Sequence, residues 1–91
     1  MSEVEFNYNG IKTIIQCKSN EKMKNICQNF ANEIQINKNE IYFSYDGKAG
    51  IQFNEELTFE ETINKEDKKR NKMNILVFQN ENIDKEEKEK N

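Results

Sequence analysis

The stretch EIYFSYDGK, residues 40–48, decides how the chain folds. Aromatic and β-branched residues favour a strand, and the Asp-Gly pair near its end favours a tight turn. Because successive side chains of a strand point to opposite faces, Phe43 and Tyr45 lie on one face and Tyr42 on the other. Either this strand is buried on both faces, or Tyr42 belongs to a surface that binds something.

The composition is that of one small globular domain with a very polar surface. The chain has 91 residues, of which 34% are hydrophobic and 34% charged, and its net charge is −3 with the signs interspersed. A nucleic-acid module needs clustered cations for phosphates, so nucleic acid is not expected as a partner. No apolar run reaches the ~20 residues of a membrane span and no signal-peptide pattern is present. We therefore expect a cytoplasmic or nuclear protein without membrane contact.

The sequence offers no residues for catalysis or for a cofactor. Cys17 and Cys27 are the only cysteines and there is no histidine, so a zinc site lacks its four ligands. Reduced thiols in the core are the favoured interpretation, and a disulfide or redox pair is the alternative. No nucleophile elbow or phosphate-binding glycine loop occurs either. The sequence predicts a protein that is not an enzyme and binds no metal or cofactor.

Apolar periodicity predicts the order β-β-α-β-β-turn-β. Residues 4–8 and 11–18 alternate around Asn9-Gly10, the strongest short signal of a hairpin. Ser19 and Asn20 are candidate N-caps for an amphipathic helix over residues 21–34. Later segments are a strand at 40–45, a short strand at 49–53, a helical turn at 57–63, a loop at 65–72 and a strand at 73–78. Residues 80–91 are predicted to be a disordered charged tail.

This order resembles the ubiquitin-like β-grasp family, which includes ubiquitin and SUMO. Residues 41–48 are similar to the third strand and turn of that family, residues 75–79 to its last strand, and Asn9-Gly10 to its first hairpin turn. The resemblance covers residues 3–79 and implies an α+β domain at residues 1–79, with four to five strands on one helix. It also implies that the first and last strands are central and that the third strand lies beside the last. The expected inward residues are Val4, Phe6, Tyr8, Ile11, Ile15, Cys17, Met23, Ile26, Phe30, Ile34, Ile41, Phe43, Tyr45, Ile75 and Val77.

Two departures from the family bear on function. Conjugated modifiers end in a diglycine, whereas the glycines here are Gly10, Gly47 and Gly50, so a modifier is the least favoured role. On the outer sheet face, ubiquitin carries an aliphatic patch that most of its receptors recognise, and Ser44 stands at the position of the patch centre. An apolar cluster is nevertheless predicted on that face. The predicted partner-binding patch consists of Tyr42, Ser44, Leu76, Phe78 and Ile14.

Other interpretations of these surfaces stay open. The tail or a neighbouring domain would cover the patch, or its members are ordinary exposed hydrophobic residues. A SUMO-like groove between the second strand and the helix is a different candidate, where a partner peptide would add as a strand. Gln16, Lys18, Lys22 and Asn25 would line or flank that groove, although lysines also protect edge strands against aggregation.

The favoured function is a non-catalytic, non-conjugated protein-interaction domain. It would be a module of a larger protein and bind other proteins, including those of the ubiquitin and SUMO systems, through the outer patch. The alternative is a free-standing structural subunit or adaptor whose sheet face is permanently covered by a neighbour.

Overall fold

The computed structural model describes residues 2–80, so residues 81–91 of the predicted tail lie outside the described residues. Its elements follow the predicted order, with one additional short helix in the segment predicted to be a loop. They are β1 (Ser2–Tyr8), β2 (Ile11–Cys17), α1 (Met23–Glu33), β3 (Ile41–Tyr45), β4 (Lys48–Ala49), α2 (Phe59–Thr62), α3 (Lys65–Arg70) and β5 (Lys72–Gln79), with single 3-10 turns at Lys38–Glu40 and Gly50–Gln52.

The five strands form one mixed sheet in the order β2-β1-β5-β3-β4. Strand β1 is antiparallel to β2 and parallel to β5, and β3 is antiparallel to β5. The first hairpin closes on the pair Tyr8 and Ile11, with positive φ at Asn9 (54°) and Gly10 (79°). Those angles define a type I′ turn, whose twist matches that of the flanking strands. The predicted hairpin and the central β1/β5 pair are both confirmed.

One face of this sheet is covered by α1 through a cluster of aromatic rings. Phe6 of β1 stacks on Phe30 of α1 with ring centroids 4.3 Å apart, and Phe43 of β3 meets both rings edge-on at 5.8 and 6.2 Å. Phe53 and Phe59, which precede and begin α2, are also buried in this core. Most of the expected inward residues are buried, while Tyr8, Ile15 and Ile34 are half-buried at its margin.

Ile11 is the exception among the expected inward residues, because 68% of its surface is exposed. It begins the edge strand β2 directly after the hairpin turn, at a corner of the sheet. There it lines a shallow hollow together with Tyr8, Ile34 and Ile36. The prediction that Ile11 belongs to the core was therefore wrong.

Two predicted boundaries were also wrong because contacts distant in sequence override local signals. Helix α1 begins at Met23, and neither Ser19 nor Asn20 caps it. Instead the carbonyl oxygens of Ser19 and Glu21 accept hydrogen bonds from the N–H groups of Glu60 and Phe59. The predicted strand at 49–53 is only the two-residue β4, since the chain turns at Gly50 with a φ of 59°.

The polar segment predicted to be a loop at 65–72 is mostly helical. Asn64 caps α3 by accepting a hydrogen bond from the N–H of Asp67 at 2.8 Å, and Asn71 ends it in the left-handed conformation. The Asp67 carboxylate is buried, pairs with Arg70, and accepts a 2.7 Å hydrogen bond from the hydroxyl of Tyr45. That hydroxyl also accepts a 3.0 Å hydrogen bond from the N–H of Asn64. These contacts join α3 to β3.

Replacing Tyr45 by phenylalanine removes this junction without changing the apolar ring. We expect Tyr45→Phe to lower the free energy of unfolding by about 1–3 kcal/mol, because a buried carboxylate and a backbone N–H each lose a partner. Urea denaturation measures the change. The matched control is Tyr42→Phe on the exposed face, which we expect to change stability by less than about 0.5 kcal/mol; equal effects of the two variants would contradict the assignment.

The two buried thiols predict a loss of stability in alkaline solution. Burial raises the pKa of the Cys17 thiol to about 11, and the negative charge of Glu21 adds to this shift. Burial raises the pKa of the Cys27 thiol still further, and the negative charge of Glu55 adds to that shift. An unfolded thiol ionises near pH 8.5, so the unfolded state binds fewer protons above that pH. The free energy of unfolding should therefore decrease as pH rises from about 8.5 to about 11.

Urea denaturation at several pH values measures this slope. The Cys17→Ala, Cys27→Ala double variant should show a shallower decrease than the wild type. An identical pH slope in the two proteins would contradict the assignment of the thiols as protonated core groups.

Candidate protein-binding face of the sheet

The outer face of the sheet, opposite α1, carries three exposed apolar side chains on two neighbouring strands. Tyr42 of β3 and Phe78 of β5 are directly paired between the two strands. Leu76 is paired with Ser44, two residues away on each strand. The exposed fractions are 38% for Tyr42, 42% for Phe78 and 51% for Leu76. We call Tyr42, Leu76 and Phe78 the outer patch.

Strand alternation places these side chains on the outer face. Ile75 and Val77 of β5 and Phe43 of β3 point into the core, so the residues between them must point away from it. Direct cross-strand pairing then brings the rings of Tyr42 and Phe78 together, with centroids 5.4 Å apart and planes inclined by 26°. Stacking of this kind orients the two rings relative to each other while each of them stays partly exposed to solvent.

The surroundings of the outer patch are polar but uncharged. The patch lines an open hollow of about 740 Å³. The other lining residues are Asn7, Asn9, Val77, Gln79 and Asn80. Apolar rings flanked by amides suit an apolar side chain of a partner together with its backbone hydrogen-bonding groups.

Charged residues occur beyond the hollow and compensate one another. Glu5, on the outer side of β1, lies 3.0 Å from the ammonium of Lys72 and 4.0 Å from that of Lys12. The carboxylate is therefore neutralised by its own sheet. Such exposed pairs contribute little to stability, but they leave this part of the face without a strong field to attract a charged ligand.

Ile14 and Ser44, the other two predicted members of the patch, have different positions. Ser44 is half-buried beside Leu76. Ile14 is on the same face, but it is paired with Glu5 on β1, whereas Leu76 is paired with Asn7. Strand β1 thus separates Ile14 from the outer patch, which alternation alone does not show.

The residues of the alternative groove do not converge on one surface. Gln16 is an outward residue paired with Glu3, so its side chain is on the face opposite the helix. Lys18 and Lys22 are exposed between β2 and α1, and Asn25 is exposed in the first turn of α1. The ammonium of Lys22 pairs with Glu56 at 3.5 Å, which reduces the cationic character expected of the groove.

Residues 2–80 contain neither a cluster of metal-binding side chains nor a membrane-spanning helix. No three of the acidic and cysteine side chains in this part of the chain are grouped to hold a metal ion. Over the same residues, no helix is long and apolar enough to cross a membrane.

Comparison with known proteins identifies the fold. No protein-family model and no curated protein matches the sequence. The structure is similar to the crystal structure of ATBAG1 in complex with HSP70, with a TM-score of 0.67 and 10% identity over 88% of this chain. It is also similar to the solution structure of the ubiquitin-like domain of an Arabidopsis thaliana protein, with a TM-score of 0.65 and 11% identity over 86% of this chain and 76% of that one.

The chain therefore has the ubiquitin-like β-grasp fold, an α+β arrangement of a mixed sheet on one main helix, as predicted. It spans 41% of the length of the chain that it matches in the structure of ATBAG1 in complex with HSP70.

Proposed function

We propose that the protein is a non-catalytic interaction domain that binds other proteins through the outer patch. The observation that carries the proposal is the stacked pair Tyr42 and Phe78, exposed next to Leu76 on the sheet face opposite the helix. Contiguous exposed apolar surface on a small domain marks interaction sites, and large aromatic side chains dominate interface energies.

The patch suggests the chemistry of its partner. Every residue that lines the hollow is uncharged, so the partner is expected to present an apolar or aromatic side chain flanked by uncharged polar groups. Association through such a surface should depend only weakly on salt. Weak salt dependence distinguishes binding at the outer patch from binding along the lysines between β2 and α1. At those lysines, added salt would lower the affinity for an acidic peptide.

The similar structures are compatible with this role. A chain with the same fold occurs in the crystal structure of ATBAG1 in complex with HSP70. We include proteins of the ubiquitin and SUMO systems among the candidate partners, because receptors of ubiquitin use the corresponding sheet face. A cytoplasmic or nuclear setting is part of the proposal and agrees with the two free buried thiols.

Site-specific crosslinking tests the proposed surface. We expect a photoreactive phenylalanine at position 78 of the full chain to capture a specific protein from extracts of the source cells. The same group at position 51 is the matched control, because Ile51 is fully exposed on the Gly50–Gln52 turn. Specific capture from position 51 with none from position 78 would contradict the proposal.

The captured protein is then purified and its affinity measured by calorimetry. Phe78→Asp combined with Tyr42→Ala should weaken binding by about 30-fold or more, the effect of losing a central aromatic anchor. Ile51→Asp should leave the affinity within about twofold. Circular dichroism checks that each variant is folded, and an unchanged affinity of the folded double variant would refute the outer patch as the binding site.

A further inference from the structure

The outer patch does not account for the exposure of Ile14. Its side chain is 47% exposed on β2, and Ile11 on the same strand is still more exposed. Glu5 and Asn7 of β1 lie between Ile14 and Leu76 in the sheet. Ile14, which points to the face opposite Ile11, therefore lies apart from the outer patch, at the edge of the sheet.

Strand β2 pairs with β1 on one side and, within residues 2–80, with no strand on its other side. In a ladder closed by a two-residue turn, the closing pair Tyr8 and Ile11 exchanges hydrogen bonds, and every second pair after it does the same. The backbone groups of the intervening residues point to the free edge. These residues are Lys12, Ile14 and Gln16. They form a template for one more strand.

We propose that this edge pairs with β2 of a second copy of the chain, antiparallel and centred on Ile14. In this register Ile14 lies opposite the second copy's Ile14, and Lys12 lies opposite the second copy's Gln16. All of these residues direct their N–H and C=O groups toward the new partner, so the hydrogen bonds of both chains match. The contact uses the same strand of both copies, as two-fold symmetry requires.

Charge and the pairing of the exposed Ile14 side chains together favour this register among those that the hydrogen-bonding pattern allows. A shift that centres the pairing on Lys12 places that ammonium opposite its own copy, which is destabilising. A shift that centres it on Gln16 places Ile14 opposite Lys18. Registers centred on Thr13 or Ile15 place Ile14 opposite Lys12 or Gln16 of the second copy. Only the register centred on Ile14 pairs the two exposed Ile14 side chains with each other and sets Lys12 opposite a neutral residue.

The resulting dimer would have one continuous sheet of ten strands, five from each copy. The two-fold axis runs through the Ile14 pair and perpendicular to the sheet, so both α1 helices lie on one side. Both outer patches lie on the other side and stay accessible, because they are on β3 and β5. A single strand pair buries less accessible surface than a stable complex, which needs about 1,200 Å². The dimer should therefore be reversible.

Sedimentation velocity of the full chain tests the proposal. Between about 10 μM and about 1 mM, where weak complexes form, the weight-average mass should rise from 10.9 kDa toward twice that value. Ile14→Lys places a lysine opposite its own copy and should stay monomeric over this range. Ile51→Lys, the same substitution at an exposed site away from β2, should dimerise like the wild type. A monomeric wild type, or dimerisation of Ile14→Lys, would overturn the proposal.

Amide hydrogen exchange of the wild type provides a second test that needs no variant. Exchange of the Lys12, Ile14 and Gln16 amides should slow by about tenfold or more over the same concentration range. The Thr13 and Ile15 amides face β1, so we expect them to exchange slowly at every concentration. If these edge amides are instead protected only by an added acidic-hydrophobic peptide, the edge binds a foreign strand and the proposal is wrong. Dimerisation without their protection would also overturn it.

Discussion

The stack of Phe6 on Phe30 fixes the main helix to β1, one of the two strands of the central β1/β5 pair. Its ring centroids are 4.3 Å apart, and Phe43 meets both rings from the neighbouring part of the sheet. These contacts commit α1, the only long helix within residues 2–80, to one face. The opposite face receives no second layer from this part of the chain, and the properties of that face follow from this constraint.

Strand alternation then gives the uncovered face a mixed character. Half of the side chains on β3 and β5 must point outward, and a domain that used the face only as a surface would place polar residues there. Tyr42, Leu76 and Phe78 occupy three of these positions, while the core opposite them is already filled. They add little to the packing of the core, so core stability does not account for their apolar character, and the proposal assigns that character to a partner.

Much of the fold could be predicted because local pattern and tertiary structure agree. Alternation around Asn9-Gly10 and the apolar stripe of α1 specify which faces are buried. The alternation of the third and last strands also places Tyr42 and Phe78 on one side of the sheet. The direct contact between the two rings depends on the register of β3 against β5, which the individual strands do not specify.

Other features depend on contacts between distant residues and were not predictable. The segment around Asp67 has the composition of a solvated loop, and only the position of the Tyr45 hydroxyl explains why that acid is buried. Ile11 and Ile14 obey the alternation of β2, but their exposure and their separation from the outer patch follow from the place of β2 at the sheet edge. A sequence pattern gives the face of a side chain more readily than its neighbours.

Paramagnetic solvent accessibility, measured by NMR on the full chain, tests the central claim most directly. A soluble gadolinium chelate should broaden the side-chain signals of Tyr42, Leu76 and Phe78 and leave those of Phe6, Phe30 and Phe43 sharp. That result would show that the patch is open to a partner while the aromatic core is closed. Protection of the three outer side chains in the isolated monomer would contradict the account, because the chain would then cover its own sheet face.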